Sequence, residues 1–192
     1  MRTKLLICLL LYMALSTSYT YAQSENTSRS FRALIDFTAE FGGDAIAEVY
    51  FTNGDDQSVK AGQGLSIGVG GEFTVPKLEK LKFRGWVGYK YLTTQANNAN
   101  ITLTRVPIHL TANWMITDDI RIGTGLAMQT GVKFKADGLG DDINFNSASG
   151  PMFELAWRWI GLRYTLMEYK DDSGEIYNAN AIGVSLSFAF PK

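Results

Sequence analysis

His109 is the only histidine in the 192 residues, so any reaction that needs an imidazole base must run through it. Nucleophilic hydrolysis would also need a serine closely coupled to that base, and His109 is followed instead by Leu110 and Thr111. It shares its parity with Arg105, Thr111 and Asn113, the polar side of an alternating segment, and it reads as a histidine satisfied among polar neighbours. The same parity argument, applied along the chain, puts nine cations on polar faces: Arg32, Lys82, Arg84, Lys90, Arg105, Arg121, Lys133, Arg158 and Arg163. Only four anions oppose them, Asp36, Glu40, Glu72 and Glu154. If those faces are enclosed, the ions must pair, because desolvating each one costs several kcal/mol. The expectation is a salt-bridge and hydrogen-bond network centred on Asp36, Arg84, Arg105, His109 and Glu154. The surplus of positive charge leaves an anion-preferring passage as the alternative.

Other chemistry is thinly supported. Acidic residues such as Asp44, Asp55, Asp56, Asp137, Asp141, Asp142, Asp171, Asp172 and Glu175 fall in polar stretches, but their spacing does not match a calcium loop, and no metal or cofactor is expected. Gly68-Val69-Gly70-Gly71 sits on an alternating strand, where glycine relieves crowding or permits bending. The enzyme reading is therefore set aside.

The elements that must position these groups are strands. Even positions Val106, Ile108, Leu110, Ala112 and Trp114 are apolar, with the polar set between them. After the turn Thr117-Asp118-Asp119 the period-two pattern resumes, Ile120, Ile122, Leu126, Met128, Val132 and Phe134 on one parity and Arg121, Gly123, Gly125, Gln129, Gly131 and Lys133 on the other. Each run is long enough to cross a bilayer at a tilt, which takes about 9–11 residues. Similar alternation predicts a first strand over Phe31 to Phe41, a second over Gly64 to Val75, a third from Leu81 to Tyr91, sixth and seventh strands over Pro151 to Arg158 and Gly161 to Tyr169, and an eighth ending at Phe190. Polar connections are expected at Thr93 to Asn100, Lys135 to Ser149 and Lys170 to Asn180. A hairpin around Asn53-Gly54 is expected in the connection from Gly42 to Gly62.

Connections alternate long and short, which in an all-β, eight-stranded antiparallel up-and-down transmembrane β-barrel puts every short turn on one rim. Volume decides which parity faces in. An eight-stranded barrel is just wide enough inside for side chains, and the apolar parity carries too many rings to fit. Those rings are expected to face lipid, with an aromatic girdle of Phe31, Tyr89, Tyr91, Trp114, Phe134, Trp157, Trp159 and Phe190 at the two interfaces.

Residues 1–22 read as a cleaved signal peptide: Arg2 and Lys4, an apolar run from Leu5 to Leu15, then Thr20-Tyr21-Ala22. The barrel domain is then 23–192. The single cysteine, Cys8, leaves with the leader, so no disulfide is expected. Removal of Arg2 and Lys4 leaves sixteen basic against nineteen acidic residues, a charge of −3 that argues against nucleic acid as a partner.

The leader, the eight alternating strands, Arg105-Val106-Pro107 entering the fourth strand, and a last strand Ile182-Gly183-Val184-Ser185-Leu186-Ser187-Phe188-Ala189-Phe190 resemble the small outer-membrane β-barrel family of Gram-negative bacteria. That family includes the transmembrane domain of outer-membrane protein A and outer-membrane proteins X and W. The resemblance implies an integral, monomeric outer-membrane protein at the cell surface, in contact with outer-membrane lipid and lipopolysaccharide. It also implies recognition by the barrel-assembly machinery through Phe190. The role it implies is structural or surface interaction; a narrow, porin-like channel or transporter for small or hydrophobic molecules is the alternative. Lipid A deacylases and palmitoyltransferases share the barrel, but His109 faces inward and lies mid-strand, away from lipid.

Overall fold

The computed structural model describes residues 30–50, 56–96, 99–138 and 140–191. The expected leader, and the tip of the first long connection with Asn53-Gly54, lie outside them. In chain order the strands are β1 (Phe31–Phe41), β2 (Ala45–Tyr50), β3 (Asp56–Lys60), β4 (Gly64–Val75), β5 (Leu78–Ala96), β6 (Ala99–Met115), β7 (Ile120–Lys135), β8 (Ile143–Phe145), β9 (Ala148–Trp157), β10 (Ile160–Thr165), β11 (Glu168–Lys170), β12 (Ile176–Asn178) and β13 (Ala181–Phe190).

Eight of these close on themselves. β1 pairs with β4, β4 with β5, β5 with β6, β6 with β7, β7 with β9, β9 with β10, β10 with β13, and β13 returns to β1, every pair antiparallel. The described residues thus form an eight-stranded up-and-down barrel without a free edge. β2 and β3 pair as a hairpin inside the first long connection, β11 and β12 inside the last, and β8 adds to the loop end of β7. Short turns at Pro76–Lys77, Ile116–Asp119 and Arg158–Trp159 share one rim with the start of β1 and the end of β13.

Period-two alternation produces the walls. On β1, Arg32, Leu34, Asp36, Thr38 and Glu40 turn inward while Phe31, Ile35, Phe37 and Phe41 stay exposed. The interior is floored with glycine where a large ring must lie flat: a Cβ on Gly68 would stand 2.4 Å from the Trp86 indole, and one on Gly88 2.9 Å from it. Near that point the β5–β6 ladder skips the rows at Gly88–Tyr89 and Val106–Pro107, where Pro107 brings no N–H to donate.

Four expectations need correction. The expected loop from Thr93 to Asn100 is strand in its described residues: β5 and β6 stay paired out to Ala96 and Ala99, a run rich in β-branched threonine. β9 starts earlier than expected, at Ala148, and the strand expected to run to Tyr169 ends at Thr165, after which the chain joins the β11–β12 hairpin. β7 also does not keep one alternation. Opposite the single residue Arg105, between the rows Thr104–Lys133 and Val106–Thr130, it places two, Gly131 and Val132, with Gly131 at φ +60°. This β-bulge reverses the faces beyond it. Val132 and Phe134 therefore point inward and Lys133 outward, opposite to the sequence reading.

Candidate functional site

The enclosed lumen holds most of the buried titratable groups among the described residues, and it is built in tiers. Nearest the turns, Glu72 on β4 is fully buried and receives Arg32 from β1 together with Lys82 and Arg84 from β5. Register makes this meeting inevitable: Arg32 and Arg84 stand directly across from Glu72 on its two neighbouring strands. Arg84 Nε donates to the carboxylate at 2.7 Å and Lys82 Nζ lies 3.6 Å from it.

The middle tier turns on Arg163 of β10. Its guanidinium donates to Glu154 Oε2 at 2.8 Å, to Asp36 Oδ2 at 3.2 Å and to Thr38 Oγ1 at 2.9 Å, and its carbon lies 5.5 Å from the Trp86 ring centre. Arg121 pairs with the other oxygen of Glu154, and Ser187 donates to Asp36. His109 is buried and stacks at a tilt on Trp86, with ring centroids 4.2 Å apart. Above it, Lys90 bonds Glu40 at 2.6 Å and the Gly62 carbonyl at 2.7 Å, while Arg105 donates to the carbonyls of Ala61 and Gln63. The first connection is thus tied down into the barrel by two buried cations.

Over this column lies an apolar cap. Leu103 and Ile101 of β6, Val132 and Phe134 of β7, Met152 of β9 and Val59 of β3 pack with Met167 and Tyr169. Phe145 stands edge-on to Tyr177 and beside Tyr169, whose hydroxyl donates to Gln129. The β11–β12 turn is drawn in by Asp171, whose carboxyl is held below the ordinary aspartate range by the Ser173 hydroxyl and by nearby backbone amides.

Of the five residues expected to form one network, Asp36 and Glu154 meet, but through Arg163. Arg84 belongs to the turn-side tier, Arg105 binds carbonyls, and His109 packs on Trp86. Sequence reasoning placed Arg163, Lys90, Glu40 and Glu72 on the inward face without singling them out; only the register reveals their partners. Arg158, expected inward, lies in a turn instead. It clasps exposed Asp119, with Nε at 3.1 Å and NH2 at 3.2 Å, and covers Trp157. Seven of the eight girdle residues, Phe31, Tyr89, Tyr91, Trp114, Trp157, Trp159 and Phe190, face outward; Phe134, only 3 % exposed, belongs to the cap because of the bulge.

No protein-family model matches the sequence, and no curated protein does. Solved structures similar along most of the chain include three outer-membrane or surface proteins. The attachment invasion locus protein Ail of Yersinia pestis is 8 % identical, covering 82 % of this chain and 97 % of that one at a TM-score of 0.41. Neisserial surface protein A is 11 % identical, covering 85 % and 100 % at 0.43. Outer membrane protein AlkL, solved by solid-state NMR in DMPC lipid bilayers, is 12 % identical, covering 90 % and 96 % at 0.43. The fold itself rests on the closed strand pairing described above.

Proposed function

We propose that this chain is an integral, monomeric β-barrel of the Gram-negative outer membrane, exported by a leader cleaved after Ala22, with a structural or surface-interaction role and no catalytic one. One observation carries the reading: the outer wall is a continuous apolar surface. Ile67, Val69, Leu110, Leu155, Leu162, Val184 and many others are exposed around the barrel while the ions face its axis. Water-soluble monomers rarely expose apolar patches beyond a few hundred Å²; hydrocarbon is the solvent that suits this wall. A closed barrel also satisfies every backbone group without water. Exposed aromatic side chains gather near both rims, as interfacial anchoring requires. β5, at 19 residues, is about 60 Å long at ~3.3 Å per residue, so even tilted by ~45° the β5–β6 hairpin overreaches a hydrocarbon layer of ~30 Å. Its outermost described rows, up to Ala96 and Ala99, stand clear of the membrane with the loops. Partners on this reading are outer-membrane lipid and the barrel-assembly machinery, the latter through β13.

The filled lumen favours a structural role over conduction. Its cations still outnumber its anions, with Arg32, Lys82, Arg84, Lys90, Arg105, Arg121 and Arg163 against Asp36, Glu40, Glu72 and Glu154, which keeps an anion channel as the second reading. The tests are membrane fractionation with heat-modifiable gel migration, followed by planar-bilayer recording. A membrane-bound, heat-shifting protein without reproducible conductance is expected. A soluble, non-shifting product would overturn the membrane reading, and anion-selective steps would replace the structural role by conduction.

A further inference from the structure

The positive surplus of the lumen is unevenly spread. Further in, cations are matched: Arg163 and Arg121 with Asp36 and Glu154, and Lys90 with Glu40, while Arg105 rests on carbonyls. In the turn-side tier three cations, Arg32, Lys82 and Arg84, share the single carboxylate of Glu72, so two uncompensated charges gather there.

Glu72 cannot use up these partners. Arg32 and Arg84 each reach it through Nε and one terminal nitrogen, which leaves the second terminal nitrogen of each guanidinium without a partner among the described residues. Lys82 Nζ, at 3.6 Å, lies beyond hydrogen-bond range of the carboxylate. On β6, Thr111 stands across from Arg84 and Asn113 across from Lys82. Asn113 Nδ2 donates to the Thr111 oxygen at 2.8 Å, so the Thr111 hydroxyl proton is free to be donated elsewhere. Solvent reaches this tier through the turn-side mouth: the side chains of Arg32, Lys82 and Arg84 are 26 %, 17 % and 9 % exposed, against 2 % for Arg163 and 0 % for Lys90.

Water can take up spare donors, but it cannot offset like charges held close together between walls of low dielectric. An anion can. Two guanidinium edges, an ammonium and a hydroxyl suit a ligand that carries several acceptor oxygens. We infer that the turn-side mouth of the lumen is a binding site for a small tetrahedral oxyanion of the phosphate class, held by Lys82 and by the free terminal nitrogens of Arg32 and Arg84. The site is a dead end, because Trp86, Arg163 with its two carboxylates, and then the cap fill the axis above it. It therefore goes beyond both functional readings: the anion enters and leaves by one mouth and does not pass through.

The full chain is folded in non-ionic detergent at low ionic strength without phosphate, checked for heat-modifiable migration, and dialysed to equilibrium against radiolabelled inorganic phosphate. Wild type should bind at a single saturable site. Lys82→Gln leaves Glu72 with both arginines and should fold, yet bind roughly tenfold more weakly, the low end of what a hydrogen bond to a charged group is worth. Arg32→Gln, at the most exposed of the three cations, should behave alike and serves if the first variant does not heat-shift. Lys133→Gln, which removes one charge from the outer wall at the far rim, should bind as wild type does. Absence of saturable binding to wild type, or wild-type affinity in both mouth variants, would overturn the site. An equal loss in Lys133→Gln would show a response to net charge alone and overturn it as well. Anion-selective current through the phosphate-binding protein in planar bilayers would overturn the dead end.

Discussion

Towards the turns the lumen is ionic: Glu72 gathers three cations, and Arg163 joins Asp36 to Glu154. Towards the loops it is aliphatic and aromatic, with Leu103, Val132, Met152 and Tyr169 packed as in a soluble core. Both fillings close the same channel, yet they respond differently to damage. An apolar core loses contacts in proportion to the volume removed. An ionic core depends on completeness, because one deleted partner leaves another charge buried and unpaired. Electrostatic filling also fixes which strands stand opposite which, since Glu72 meets Arg32 and Arg84 only in the observed register.

The largest effect is expected where the ionic half is most connected. Arg163→Ala strips Asp36 and Glu154 of their shared partner, and loss of about 3–5 kcal/mol is expected from equilibrium urea unfolding in lipid vesicles. Arg163→Lys should recover only part of this, since a point charge cannot hold both carboxylates and Thr38 as the planar fork does. A cost below about 1 kcal/mol for the alanine variant would mean that water reaches these carboxylates and that the lumen is not sealed.

The apolar half gives the counterpart. Leu103 is fully buried, and Leu103→Ala should cost about 3 kcal/mol in the same assay. Leu103→Met should cost less than about 1.5 kcal/mol, because the cap tolerates a change of shape at constant volume. The contrast between a tolerated Leu103→Met and a poorly tolerated Arg163→Lys separates the two halves better than either alanine variant. If both conservative changes behaved alike, the distinction drawn here would fail.

The ionic half was far more legible in the sequence than the cap. Asp36, Arg84 and Glu154 sit on unbroken alternation, so parity alone put them inside, and seven girdle residues followed by the same rule. Pairings within the lumen were not legible, because parity carries no register and Arg163 bonds Asp36 across 127 positions. The cap was hidden for a different reason. Its residues come from β-strands on both sides of a bulge and from the connections: Phe145 lies among Asp and Asn in a stretch that reads as a polar loop, and Tyr169 ends what reads as the seventh wall strand but belongs to the β11–β12 hairpin. The available clue was Gly131 itself, a lone glycine inside a strand pattern, which often marks a bulge. Read that way, Lys133 and Phe134 would have exchanged faces.

That clue supplies the subtlest test of the boundary between the two halves. A Cβ at Gly131 would meet nothing within 4 Å, so Gly131→Ala should cost only the left-handed backbone strain, about 1 kcal/mol. Deleting Gly131 is the sharper experiment. Alternation after Thr130 would then run Val132 in, Lys133 out, Phe134 in, the same faces as now but on a regular ladder, so the cap should survive with little loss of stability. Had β7 been unbroken, position 133 would face inward while Gly131 is present, and the deletion would invert every side chain beyond it, turning position 133 outward. A Lys133→Cys probe in a chain whose single native cysteine is removed by Cys8→Ser distinguishes these cases. It should react with a water-soluble maleimide both with and without Gly131, whereas protection while Gly131 is present, relieved by its deletion, would remove the bulge and, with it, the outward face of Lys133.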